Sequence, residues 1–166
     1  SGSTLSNIEN VMAGTYTCTV TDGNNCIETI DLTLEEPTAV VLQVIDVVDN
    51  LCFGDEKGSI MVSANGGTPG YVKYFIETSA GVSSPQSSNI FVNLLADTYS
   101  LWVEDTNGCL SEKIINEKLG EPGKIRLTPT VLDLTCFASN DGIVNLVFEN
   151  GKSPYTYKLT YAGSSI

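Results

Sequence analysis

The chain repeats itself, and that internal period constrains the fold more than any other feature. Gly14-Thr15-Tyr16, followed by Asp22-Gly23-Asn24-Asn25-Cys26, returns as Asp97-Thr98-Tyr99 and Asp105-Thr106-Asn107-Gly108-Cys109. Tyrosine, aspartate and cysteine all shift by 83 residues (99−16, 105−22, 109−26). A second block, Cys52-Phe53-Gly54 with Gly58-Ser59-Ile60, recurs as Cys136-Phe137-Ala138 with Gly142-Ile143, where the cysteines differ by 136−52 = 84. Gly66-Gly67-Thr68-Pro69-Gly70-Tyr71 corresponds to Asn150-Gly151-Lys152-Ser153-Pro154-Tyr155, again 84 apart at the tyrosine. Blocks that recur in a fixed order mark a tandem array, in which each copy is one structural unit.

The period divides the 166 residues. Residues 37–121, from Pro37 to the residue before the matching Pro122, read as one complete unit. Residues 1–36 read as the C-terminal half of a preceding unit, and 122–166 as the N-terminal half of a following one. Glu35-Glu36-Pro37 and Gly120-Glu121-Pro122 read as short linkers stiffened by proline.

Within the complete unit, short runs of β-branched and aromatic residues alternate with Gly, Asn, Asp and Pro. Strands are predicted at about 39–48, 58–64, 70–77, 88–94, 97–104 and 109–117, with a short edge strand near 79–84. Tyr99, Leu101 and Val103 alternate with period two, as in a half-buried strand. No segment carries a helical period. Asp22-Gly23-Asn24-Asn25 and Asp105-Thr106-Asn107-Gly108 read as hairpin turns, in which Asn and Gly accept positive φ. Six or seven strands in about 85 residues predict an all-β fold of tandem immunoglobulin-like sandwiches. A strand of about ten residues rises about 33 Å, so an array of such units makes a long thin rod.

Leu95-Ala96-Asp97-Thr98-Tyr99 and its earlier copy Ala13-Gly14-Thr15-Tyr16 each place a tyrosine at the opening of the penultimate strand. Tyr16 and Tyr99 are therefore structural tyrosine-corner candidates, with the hydroxyl bonding back to the turn. Cys18 falls where antibody domains carry a core cysteine, but Leu101 occupies the equivalent place in the next copy. A buried free thiol is expected at Cys18, or pairing with a residue beyond this stretch. Trp102 lies outside the inward Tyr99/Leu101/Val103 set and is a surface-contact candidate, by stacking on a sugar ring or against a neighbouring loop.

Charge and composition narrow the partners. Eight basic against twenty acidic residues give a formal charge of −12, which repels a phosphate backbone or an anionic lipid surface. Neither nucleic acid nor membrane insertion is expected of this segment. Five cysteines, four at repeating places, with no histidine and no Cys-x-x-Cys pair, do not fit zinc. They read as disulfide candidates, implying an oxidising, extracytoplasmic compartment. No cofactor is expected. Calcium is the one alternative, because Asp22, Asp105, Asp55, Glu56, Glu35, Glu36 and Glu121 lie in turns or linkers, although no D-x-N-x-D-G loop is present. With no histidine, nucleophile motif or matched carboxylate pair, the chain is not expected to be an enzyme. Gly66-Gly67-Thr68-Pro69 lacks the lysine and helix of a phosphate loop.

The ordered blocks starting at Cys52, Gly66, Leu94/Leu95 and Asp105 resemble the SprB repeat of large surface adhesins in gliding Bacteroidetes. Gly70 stands where the usual proline precedes the tyrosine, which Pro154 restores, and Ala138 replaces a glycine. The resemblance implies export by the type IX route and an outer-membrane-associated place at the extracellular cell surface. It also implies a role in gliding motility and attachment, with neighbouring repeats, the gliding and secretion machinery and surface polysaccharide as partners. Cys52, Cys109, Cys26 and Cys136 are the structural disulfide candidates. A Cys52–Cys109 bridge within one unit follows the family's habit and would close a loop of 109−52 = 57 residues, worth about 4 kcal/mol. In a sandwich, however, these two loops lie at opposite ends, beyond disulfide reach. A bridge between the first loop of one unit and the last hairpin of the next remains open, as do free thiols. The expected function is a segment of a repetitive adhesin acting mechanically as a disulfide-stabilised rod. The alternative is a carbohydrate-binding or spacer module of a secreted multidomain protein.

Overall fold

The structure, a computed structural model, describes residues 7–68, 70, 71 and 73–160. Pro69 of the Gly66–Tyr71 block and Val72 of the strand expected at 70–77 lie outside the described residues. Eleven strands and no helix make up the described chain. They are β1 (Gly14–Thr21), β2 (Ile27–Leu34), β3 (Val41–Val48), β4 (Gly58–Asn65), β5 (Lys73–Thr78), β6 (Gly81–Val82), β7 (Ile90–Leu94), β8 (Asp97–Glu104), β9 (Ile114–Leu119), β10 (Arg126–Leu132) and β11 (Ile143–Glu149).

The middle of the chain forms an immunoglobulin-like sandwich of a three-stranded sheet, β3-β4-β7, and a four-stranded sheet, β6-β5-β8-β9. All pairings are antiparallel. Period-two alternation explains why the two sheets close on each other. Leu42, Ile60, Val62 and Phe91 from the first sheet meet Tyr74, Ile76, Tyr99, Leu101, Val103 and Leu119 from the second. With Val40 these form the buried core, which lies wholly between residues 40 and 119. Two separate hairpins flank it, β1-β2 before and β10-β11 after.

Two strand ends differ from the sequence reading. The last strand of the sandwich begins at Ile114 rather than near residue 109. Ser111 interrupts the ladder: it is buried, its N–H donates to the Val103 carbonyl, and its hydroxyl accepts from the Val103 N–H. β5 begins at Lys73 because Gly70 has φ +102° and Tyr71 donates its hydroxyl back to the Gly66 carbonyl at 2.7 Å. Cys18 also departs from expectation. It is exposed rather than buried, because no second sheet lies over the β1-β2 hairpin among the described residues.

Candidate functional site

Each pole of the sandwich is built around carboxylates and amides that tie loops together. At the first pole Asp105 opens the β8–β9 turn. Its Oδ1 accepts from the N–H groups of Asn107 and Cys109, at 2.9 and 2.8 Å, and its Oδ2 accepts from Thr68 at 2.8 Å. Hydrogen bonding from the Thr68 N–H, with those of Cys109 and Asn107, holds its carboxyl below the ordinary carboxylate value against the opposing effect of burial. Asn107 adds a side-chain bond to Thr68. Gly67 lies so close that a Cβ there would sit 2.8 Å from Asp105 Oδ2. The segment that leads into β3 enters here too, since the Gly67 N–H donates to the Thr38 carbonyl.

The earlier copy of the turn has the same wiring. Asp22 Oδ1 accepts from the N–H groups of Asn24 and Cys26, each at 2.8 Å. Positive φ falls on Asn25 in one copy and Gly108 in the other. Aspartate therefore organises the turn through its side chain, a role the spacing alone did not show. The signal that could have revealed it is the aspartate four residues before each cysteine.

At the second pole buried Asn50 joins three segments. Its N–H donates to the Gly120 carbonyl, its Nδ2 to the Leu94 carbonyl, and its Oδ1 accepts from Lys57. Asp49 accepts from the Gly120 N–H at 2.7 Å, and Glu121 accepts from the Gly54 N–H at 2.6 Å. The carboxylates of Asp22, Asp105 and Glu121 are thus engaged as acceptors of turn and linker amides. Among the described residues no group of three or more Asp, Glu, Cys or His is placed to hold a metal ion.

The tyrosines span the approach to this pole. Tyr99 donates its hydroxyl to the Leu95 carbonyl at 2.9 Å, and Tyr16 to that of Met12 at 2.6 Å. Burial, with a smaller contribution from Asp97, raises the Tyr99 pKa. A third tyrosine device escaped the sequence reading: Tyr71 bonds to the Gly66 carbonyl and Tyr155 to that of Asn150, five residues back in both copies.

All five cysteines are free and exposed. Cys109 lies in the turn of the first pole, and Cys52 in the β3–β4 loop of the second. The eight-residue strands β4 and β8 separate the poles by about 25 Å, so the within-unit Cys52–Cys109 bridge does not form. Cys26 occupies the place of Cys109 in the first hairpin, and Cys136 that of Cys52 in the last. Cys52 and Cys136 start the same turn, with Asp55 and Ser139 each donating an N–H to the cysteine carbonyl at 3.2 Å.

Trp102 projects from the outer face of the four-stranded sheet. It stacks on its cross-strand partner Phe75, with centroids 5.0 Å apart, and carries the Lys113 ammonium 4.1 Å above its ring. Lys113 in turn pairs with Glu77 at 2.8 Å. The indole is thereby engaged by its own sheet.

Residues 44–72 and 128–163 each match the family model of the SprB repeat. These two stretches of the chain are similar to the SprB repeat. Their matched segments begin 128−44 = 84 residues apart, the same shift as Cys52 to Cys136. No curated protein and no solved structure matches the chain. The SprB repeat is a structural repeat of cell-surface, adhesin-like proteins, not an enzyme family. No helix among the described residues is long and apolar enough to cross a membrane.

Proposed function

We propose that this SprB-repeat chain is a segment of a long extracellular filament used in gliding motility and surface attachment, with residues 37–121 as its mechanical unit. The observation that carries this reading is the joint. Glu121 is tied to Gly54 of the sandwich before it, while Gly123 accepts from the Gly151 N–H of the repeat after it at 2.9 Å. Pro122 lies between these two anchor points. A joint this short passes tension from one repeat to the next without a slack linker. Residues 1–36 and 122–166 are the halves of the neighbouring units. The partners of this function are neighbouring repeats, the gliding and type IX secretion machinery, and polysaccharide at the outer-membrane surface.

The proposed rod includes a disulfide between repeats. The chain leaves the sandwich beside Cys52, so a following unit of the same build would bring its counterpart of Cys109 toward Cys52. Joining these two thiols forms one S–S bond and releases two protons and two electrons to a thiol–disulfide oxidoreductase in its oxidised form. Peptide mapping of the cell-surface protein without reduction is expected to recover Cys52 linked to the last-hairpin cysteine of the following repeat. Recovery of alkylated free thiols alone would remove the stapled rod.

Antibody against residues 37–121, coupled to fluorescent beads, tests the function on living cells. Beads carried steadily along the cell body are the expected result. Bound but stationary beads would overturn gliding in favour of a passive stalk. Absence of binding would make a released spacer or carbohydrate-binding module the better reading.

A further inference from the structure

The chain enters and leaves the sandwich at opposite poles. It enters at the first, where the Thr38 carbonyl accepts from the Gly67 N–H at 2.7 Å. β3 then runs toward the second, from Val41 beside Asn65 to Val48 beside Ser59. The chain leaves at the second pole, where β9 ends with Leu119 beside Asp97, the first residue of β8. β3 and β9 therefore run in the same direction, one in each sheet. Tension applied through Pro37 and Pro122 draws the start of β3 one way and the end of β9 the other. Hydrogen bonds of an antiparallel ladder lie across the strands. Under this pull they are sheared and share the load, instead of opening one at a time.

The two loaded strands are not equally held. β3 pairs with β4 from Val41 to Val48, with one slip between Val44 and Asp46. β9 pairs without interruption with β8 only from Glu117 to Leu119, because the register slips between Tyr99 and Leu101 and Asn116 takes φ +62°. By its ladder alone the outgoing strand is the weaker one. Just past its end, however, the chain is fastened to the residues that follow β3. Gly120 donates its N–H to Asp49 Oδ1 at 2.7 Å and accepts from the Asn50 N–H at 3.0 Å. Glu121 accepts from the Gly54 N–H at 2.6 Å. Two of these bonds end on carboxylates, which strengthens them. Asn50 is 3% exposed, and its side chain also holds the Leu94 carbonyl and the Lys57 N–H, which anchors the fastening in the body of the sandwich.

We infer that Asp49, Asn50 and Glu121 act as a force clamp, which passes tension from the end of β3 straight to the outgoing chain and spares the short β8–β9 ladder. This rests on the reading of residues 37–121 as a tension-bearing unit. The shortest load path follows β3 from Thr38 to Asn50 and crosses through the clamp to Gly120. The core and the other strands carry load only after the clamp parts. Unfolding under tension therefore starts at the clamp, whereas unfolding in denaturant, which pulls on no particular bond, is governed by the core. In the next copy Asp133 keeps the place of Asp49 while Leu134 replaces Asn50, so the Asn50 anchor belongs to this unit.

The test stretches the 166-residue chain by its two ends at constant force in optical tweezers, in reductant so that no disulfide shares the load. Once the flanking hairpins have opened, the wild-type middle unit is expected to give way in one step of about 250 Å, from about 3.4 Å per extended residue less the folded length. Asp49 is exposed, so Asp49→Ala leaves the core intact, which a cooperative denaturant melt of Trp102 fluorescence checks. This variant is expected to shorten the lifetime under force by about tenfold or more, because the remaining bonds each carry more of the pull and rates rise exponentially as barriers fall. Its unfolding rate in denaturant should change by less than about threefold, as for other exposed positions. Asp49→Asn keeps an acceptor oxygen and is expected to restore most of the lifetime. Tyr99→Phe supplies the converse, since its lost bond to the Leu95 carbonyl lies off the load path. It should shorten the lifetime under force no more than it speeds unfolding in denaturant. The same parity in Asp49→Ala would overturn the clamp and leave the mechanical unit standing. A wild type that extends gradually, without a step, would strike the tension-bearing reading itself and the clamp with it.

Discussion

Residues 40–119 and the two hairpins beside them are built from the same sequence blocks, yet they end in different physical states. In the middle, Leu101 on β8 is sealed by the opposite sheet. Its counterpart Cys18 on β1 stands in solvent, on a strand of the same length and with a complete ladder to β2. The tyrosine bond back to the turn, the aspartate-centred turn and the cysteine-led turn are intact on both sides of the comparison. These devices close within a few residues, so they form in half a repeat as well as in a whole one. Burial needs a second sheet, which among the described residues only the stretch 40–119 has. These local hydrogen bonds therefore take none of their partners from the core.

The largest break in that comparison is expected at position 101. Leu101→Ala should cost about 2–5 kcal/mol in denaturant unfolding of the sandwich, by lost transfer energy and the cavity left behind. Cys18→Ala, the matching truncation, should stay within about 0.5 kcal/mol, since its surroundings are solvent. Equal effects at the two positions would mean that the first hairpin is as well packed as the middle unit.

Gly58 sharpens the contrast next. A Cβ there would lie 2.6 Å from the Leu119 side chain and 2.9 Å from the Leu94 carbonyl oxygen, so Gly58→Ala overpacks the closed core. The expected loss is about 1–3 kcal/mol. At Gly142, its counterpart, the nearest atom is Leu134 Cδ2 at 3.2 Å, on an exposed side chain free to give way. Gly142→Ala should therefore be much milder in the same melt.

Tyr99→Phe removes one partly buried hydrogen bond and should cost about 0.5–1.5 kcal/mol, while Tyr16→Phe should leave the stability of the middle unit unchanged. Burial raises the Tyr99 pKa above 10.0 in the folded state. The stability it lends is complete below that unfolded value and is lost as pH rises through the folded one. An alkaline melt series should show a decline that Tyr99→Phe reduces.

The smallest expected effect lies at the acid end. Asp105 has a folded pKa below the ordinary 3.8, so its contribution is complete above 3.8 and disappears as pH falls through the folded value. Asp105→Asn should flatten the acid limb of the stability curve. An unchanged acid limb would mean that the Thr68, Asn107 and Cys109 amides do not favour the ionised form.

Much of this was legible in the residues. The alternation of Tyr99, Leu101 and Val103 correctly marked the inward face of β8, and the turn residues marked its end. The start of β9 was not legible, because Ser111 takes up the Val103 backbone groups through a contact between strands that no local pattern announces. Cys18 was misjudged for a related reason: a residue's position in the repeat says which way it faces, not whether anything faces it. The role of Asp105 escaped as well, since Thr68 and Gly67 reach it from another loop 37 residues away.

The sequence by itself determined the period, the all-β class, the strand pattern of the repeat and the chemistry of its turns, because these depend on local propensity and on alternation along one strand. Only the tertiary structure decided which faces are covered, that Asn50 draws Leu94, Lys57 and Gly120 together, and that Glu121 bonds Gly54 while Gly123 bonds Gly151. Those are contacts between separate segments of the chain, and burial depends on where such segments come to rest in space.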